Sequence, residues 1–259
     1  MQDAIRGRPD NLRGPRPMAK WIIPLTALFL SACVWAPPPT QPMGNIAQPE
    51  ARRSDTLLVF LPGRGDRGPD FVDEGFMEIG AGRGYDLLAA DAHFGYYTSE
   101  TIVDRLHEDI IRPARGRGYQ RIWLLGISAG GLGAGLYADA HPGMIDGLIL
   151  LAPYPGDEAL VQDIANAGGL AAWAGESSAG KDWQRRHWRW LKETTGGADR
   201  PWIELGYGRD DRFAAAGNLL ARELPAERVF LGEGGHSWPV WRGLWERIAA
   251  AGLPSANHP

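Results

Sequence analysis

The sequence predicts an α/β fold: a doubly wound, mostly parallel sheet of about six strands, with a helical cap inserted late in the chain. Short apolar runs recur along the chain with longer helical patterns between them. The runs are continuously apolar rather than alternating, as strands covered on both faces must be. Strand and helix patterns take turns, which implies right-handed crossovers and helices on both sides of one sheet.

The first run, Thr56–Leu61 (TLLVFL), stops at Pro62-Gly63. The second is Asp86–Ala90 (DLLAA) and the third Arg121–Leu125 (RIWLL). The fourth, fifth and sixth are Gly147–Ala152, Trp202–Tyr207 and Arg228–Leu231. Between the second and third, Thr101–Arg115 places Ile102, Leu106, Ile110 and Ile111 on one helical stripe. Helical patterns also cover Ala129–Ala140, Ala214–Leu224 (stopped by Pro225) and Trp238–Ala251. Residues 154–200 lie between the fourth and fifth strands and carry Trp173, Trp183, Trp188 and Trp190; they read as the cap.

The N-terminus reads as a targeting segment. Arg16 and Lys20 flank an apolar run from Trp21 to Leu30, followed by Ser31, Ala32 and Cys33. A membrane span needs about 20 apolar residues, and this run is shorter and interrupted by Pro24. Leu30-Ser31-Ala32-Cys33 resembles the lipobox of bacterial lipoproteins. That resemblance implies a signal peptide over 1–32, with Met18 as the true start, and acylation of Cys33. Residues 33–54 then form a Pro-rich linker, and 55–259 form the domain. Val34, rather than Asp, follows the cysteine, which by the same resemblance implies the outer membrane, facing the periplasm.

Charge and cysteine content exclude other classes. The net charge is −4, and residues 1–32 hold five basic residues against two acidic, which leaves −7 for the rest. An acidic body repels a phosphate backbone, so no nucleic-acid partner is expected. One cysteine makes neither an internal disulfide nor a cysteine metal cluster. No metal and no cofactor are expected. The oligomeric state stays open.

The third strand runs directly into Gly126-Ile127-Ser128-Ala129-Gly130 and then a small-residue helix. This is G-x-S-x-G in the strand–turn–helix setting that lifts a serine hydroxyl off the end of a sheet. Behind it, the helix N-terminus favours developing negative charge. With this motif in place, residues 55–251 resemble the α/β-hydrolase superfamily, and in particular the esterases similar to S-formylglutathione hydrolase.

The resemblance implies a serine–acid–histidine order along the chain. After the fifth strand stand Asp210 and Asp211; the G-x-x-D spacing counted from Gly208 selects Asp211, with Asp210 as the alternative acid. After the sixth stands Gly234-Gly235-His236-Ser237-Trp238, similar to the G-G-H-[DS]-W-x-x-W of those esterases. The implied catalytic set is Ser128, Asp211 and His236. The implied oxyanion donors are the backbone N–H groups of Ala129 and Arg64, the latter because Pro62-Gly63 occupies the place of the family's His-Gly. His93 follows the second strand and has two readings, pocket wall or structural residue.

The function expected is cleavage of an ester-type bond, carboxylic ester or thioester, in a small-molecule acyl substrate. The aromatic content of 154–200 and Tyr96-Tyr97 points to an apolar or aromatic group. The alternative is a non-catalytic envelope lipoprotein that uses the fold for binding.

Overall fold

The computed structural model describes residues 37–49, 51–175, 182–196 and 201–254. The signal peptide, Cys33 and the start of the linker lie outside the described residues.

Seven strands form one sheet: β1 (Asn45–Gln48), β2 (Thr56–Leu61), β3 (Asp86–Ala90), β4 (Arg121–Ile127), β5 (Gly147–Leu151), β6 (Trp202–Gly208) and β7 (Val229–Gly232). Their order is β1-β3-β2-β4-β5-β6-β7. All neighbours are parallel except β1, which runs antiparallel to β3. β2, β3 and β5 are buried at every position, which is why their sequences are unbroken apolar runs.

The helices, in order, are α1 (Asp70–Asp73), α2 (Phe76–Gly80), α3 (Gly95–Thr98), α4 (Ile102–Leu106), α5 (Arg112–Gly116), α6 (Ala129–Ala140), α7 (Glu158–Asn166), α8 (Trp183–Gly196), α9 (Ala214–Ala221) and α10 (Trp238–Ala251). A single π turn, His107–Ile111, joins α4 to α5. α7 and α8 make up the described part of the insertion between β5 and β6.

The chain steps outward from β2 to β3, then returns to add β4 on the other side of β2. With right-handed crossovers, that reversal sends α2 to one face and α4, α5 and α6 to the other. It also opens a crevice between the C-terminal ends of β2 and β4, where ligands bind in open α/β sheets. The face carrying α2 is sealed by aromatic rings: Phe60, Phe71, Phe76, Trp238 and Trp245 pack edge-on or stacked at centroid distances of 5.1–6.4 Å.

One expectation is corrected. Residues 33–54 read as a linker, yet within them Asn45–Gln48 forms the edge strand β1, and Met43 is buried. Tyr96 Oη donates to Thr40 O at 2.9 Å, and Met43 N donates to Asp109 at 2.8 Å. A four-residue strand with a mostly exposed burial pattern carries too weak an alternation to be read in sequence. Its pairing is a tertiary event.

Candidate active site

The site starts from Ser128. It follows β4 and precedes α6 with φ 51° and ψ −113°, a conformation that costs of order 1–3 kcal/mol in a non-glycine residue. The surroundings hold it there. Ser128 N donates to Leu151 O at 2.9 Å, and Tyr154 N donates to Ser128 O at 2.9 Å. Gly126 and Gly130 are required by space. A Cβ at Gly126 would stand 2.3 Å from Gly130 O, and one at Gly130 would stand 2.1 Å from Leu61 O. Only hydrogen at both positions lets the turn fold back between β2 and β4.

Asp211 and His236 come from loops after β6 and β7. Asp211 is 5% exposed, and its carboxylate accepts from His236 Nδ1 at 2.8 and 3.1 Å and from Phe213 N at 2.8 Å. A buried carboxylate at Nδ1 fixes the neutral tautomer with its lone pair on Nε2. His236 Nε2 is itself buried and makes no hydrogen bond among the described residues. Phe213 and Trp241 pack edge-on against the imidazole at 5.0 and 4.8 Å, which sets the ring plane. Asp210 is exposed, and its backbone N donates to Gly234 O at 3.0 Å. Of the two adjacent aspartates, the structure therefore brings Asp211 to the histidine.

The loop after β2 closes the site on its other side. Gly63 leaves room beside the serine: a Cβ there would stand 3.5 Å from Ser128 Cβ and 2.9 Å from Asp66 Oδ2. The backbone N–H groups of Ala129 and Arg64 donate to no acceptor among the described residues, so both are open donors. Asp66 is a site residue that sequence reasoning missed. Its carboxyl accepts from Trp238 Nε1 at 3.4 Å, and burial pushes it above the usual carboxylate range, with Trp238 and the nearby His236 pulling it back. No motif marks Asp66; a turn bond from its N to Gly63 O folds it inward.

A cavity of about 850 Å³ opens over Ser128 and Ala129. Phe94, Tyr97, Tyr154, Trp183 and Phe213 supply aromatic wall, and Arg64, Arg186, Arg189 and Arg212 supply charge. His93 does not line it. It is buried, and its Nδ1 accepts from Gly95 N at 3.2 Å, the structural reading. Tyr96 is likewise buried away from the cavity; Tyr97 lines it. Of the four tryptophans in 154–200, only Trp183 lines it. Trp173 and Trp188 are buried, donating to Asp163 at 3.1 Å and Pro155 O at 2.8 Å, and so hold the cap together. Among the described residues, no group of three or more His, Cys, Asp or Glu side chains is arranged to hold a metal ion.

No protein-family model and no curated protein matches the chain. Solved structures do. The S-formylglutathione hydrolase FrmB of Staphylococcus aureus matches with a TM-score of 0.53 at 12% identity, over 78% of this chain and 82% of that one. Est1E from Butyrivibrio proteoclasticus matches with a TM-score of 0.51 at 17% identity, over 81% and 95%. FphF, a fluorophosphonate-binding serine hydrolase of Staphylococcus aureus, matches with a TM-score of 0.51 at 13% identity, over 81% and 98%. At such identities the likeness is one of architecture. Together with the seven-stranded, mostly parallel sheet, it establishes that this chain has the α/β-hydrolase fold.

Proposed function

We propose that the chain is a serine hydrolase that cleaves a carboxylic ester or thioester through an acyl-enzyme, with Ser128 as nucleophile, His236 as general base and Asp211 as the acid that orients it. One observation carries the reading. Ser128 is held in a strained turn at the end of β4, and the same edge of the sheet carries a histidine whose Nδ1 is engaged by a buried carboxylate while its Nε2 is open.

The chemistry follows from these atoms. Ser128 Oγ adds to the carbonyl carbon as His236 Nε2 takes its proton. Asp211 stabilises the imidazolium without being protonated. The oxyanion accepts from Ala129 N–H and Arg64 N–H, donors that are each typically worth about 10²–10³ in rate. Collapse breaks the bond to the alcohol or thiol, which leaves with the proton from His236. Water then adds to the acyl-enzyme, gives its proton to the same nitrogen, and Ser128 leaves with it.

A fluorophosphonate probe and a series of p-nitrophenyl esters test this. Labelling at Ser128 together with ester turnover supports it; the absence of both sinks it.

The same proposal tethers the domain to the bacterial outer membrane, facing the periplasm, through acylated Cys33. Its support is the basic flank, short apolar run and Leu30-Ser31-Ala32-Cys33 ending. Among the described residues no helix is long and apolar enough to cross a membrane. Labelled palmitate should enter the native chain and not Cys33→Ser. Equal incorporation into both removes the anchor from the proposal.

A further inference from the structure

The cavity over Ser128 has the opposite sign to the protein. The chain is net negative, yet the cavity's charged lining is four arginines against two acids, Glu100 and Asp182. Two of the arginines are already engaged, one with helix α6 and one within the cap. Arg186 is paired with Asp139 at 2.6 Å, and Arg189 donates to Gly175 O at 3.2 Å. The other two are differently placed. Arg64 lies over the Phe94 ring at 5.0 Å and Arg212 over the Phe213 ring at 4.9 Å. Neither has a carboxylate partner or any hydrogen-bond acceptor among the described residues.

Arg64 and Arg212 reach this position for separate reasons. Arg64 belongs to the loop after β2 that carries the second oxyanion N–H. Arg212 follows Asp211, the carboxylate bonded to His236. Both are thus tied in sequence to residues of the site, and both line the cavity that contains Ser128. Aromatic stacking supports the planar guanidinium while leaving its N–H edge available. A guanidinium so presented suits the two oxygens of a carboxylate or phosphate. Asp182 is 3.5 Å from Arg185, a cation outside the cavity.

We propose that the preferred substrate is an ester carrying a second, anionic oxygen group, bound by Arg64 and Arg212, with its apolar part against the aromatic wall. This rests on the hydrolase reading above and narrows it to a substrate class.

Matched esters test the proposal. The p-nitrophenyl monoester of glutarate against p-nitrophenyl pentanoate places the charge on the acyl side. 4-Acetoxybenzoate and 4-acetoxyphenyl phosphate, each against methyl 4-acetoxybenzoate, place a carboxylate or a phosphate on the alcohol side. At least one anionic ester should exceed its neutral match in kcat/KM by roughly tenfold, and the excess should shrink as salt rises. Arg212→Glu, a change at an exposed position, should reverse that preference, chiefly through KM. If every anionic ester is at or below its neutral match, or if the charge reversal leaves the ratios unmoved, the inference is overturned while ester turnover keeps the hydrolase reading. A second measurement does not depend on turnover: calorimetric titration of Ser128→Ala with glutarate, 4-hydroxybenzoate and inorganic phosphate. Saturable binding of one of them, weakened roughly tenfold or more by adding Arg212→Glu, supports the anion site even in a chain that hydrolyses nothing. Failure of all three to bind overturns it.

Discussion

At Ser128 the backbone and the side chain have separate demands. The strained φ is met by two glycines and by hydrogen bonds to Leu151 and Tyr154; the proposed chemistry at the hydroxyl needs a base, and His236, its Nδ1 engaged by Asp211, keeps Nε2 unbonded among the described residues. Ser128→Ala keeps the backbone demands satisfied and should lower kcat by roughly 10⁴-fold or more with little change in the thermal midpoint. The two aspartates should separate cleanly. Asp211→Asn leaves an amide at His236 Nδ1, favours the wrong tautomer, and should cost about 10⁴ in kcat, whereas Asp210→Asn should stay within about threefold. Steady-state kinetics of the pair on one p-nitrophenyl ester decide it; comparable losses in both would remove Asp211 from its role.

The elements around that residue are packed to tolerances that side chains expose. Helix α6 carries glycine where its neighbours come closest: a Cβ at Gly133 would stand 2.3 Å from Tyr97 Oη, and one at Gly135 would stand 2.3 Å from His187 Cε1. Helix propensity is given up for close packing against α3 and the cap helix α8. At the elbow the obstacle is backbone, which cannot swing aside. Gly130→Ala should therefore cost about 2–4 kcal/mol of stability in denaturant unfolding and most of the activity with it.

His187 sits on the buried side of α8 with its Nδ1 unpartnered among the described residues, and burial pushes its pKa down to about 4. The unfolded chain titrates near 6.5, so the folded state binds fewer protons between those values. Stability is full above pH 6.5 and is lost as pH falls towards 4, by up to roughly 3 kcal/mol. Hydrogen-exchange protection factors in α8, corrected for the intrinsic rate at each pH, should fall as pH drops through this window in the native chain. His187→Leu should flatten that response; an unchanged acid dependence would mean that another group governs it.

For the molecule as a whole, the sheet has a second buried titrating group of opposite sign. Glu204 stands in the middle of β6, opposite Ile149 of β5, with one oxygen unpartnered among the described residues. Burial pushes its carboxyl up to about 7, against 4.5 in a solvated chain; the Trp202 N–H and the Arg228 charge offset part of that. The folded state here binds more protons, so this contribution is full below pH 4.5 and is lost as pH rises through 7. Glu204 and His187 thus tilt the stability curve in opposite directions across the same range. Glu204→Gln should match the native chain near pH 4 and exceed it at pH 8, by on the order of 3 kcal/mol. Urea unfolding at the two pH values measures the difference, and equal gains at both would assign it to packing instead.

What the sequence by itself determined are features written in contiguous residues. The five inner strands, β2 to β6, are legible because they are covered on both faces and so are almost continuously apolar; the edge strand β7 is legible only as a short apolar run before the histidine loop. The serine turn is legible because backbone approach at Gly126 and Gly130 forbids any other residue. The histidine and the pair of aspartates are legible because their loops follow strands in a fixed order.

What only the tertiary structure decided depends on groups distant in the chain. The edge strand β1 exists because β3 offers it a ladder; its own four residues do not specify one. Asp211 rather than Asp210 meets His236 because β7 lies beside β6, so the loop that follows it reaches across. Asp66 enters the site through a turn that no motif marks. Two of the four tryptophans of the cap, Trp173 and Trp188, hold the cap together, and the charge over Ser128 comes from arginines on three separate segments. Short-range patterns record which residues must be buried or small. Which polar groups meet is set by the packing of elements, and in this protein that packing makes the pocket cationic on an acidic body.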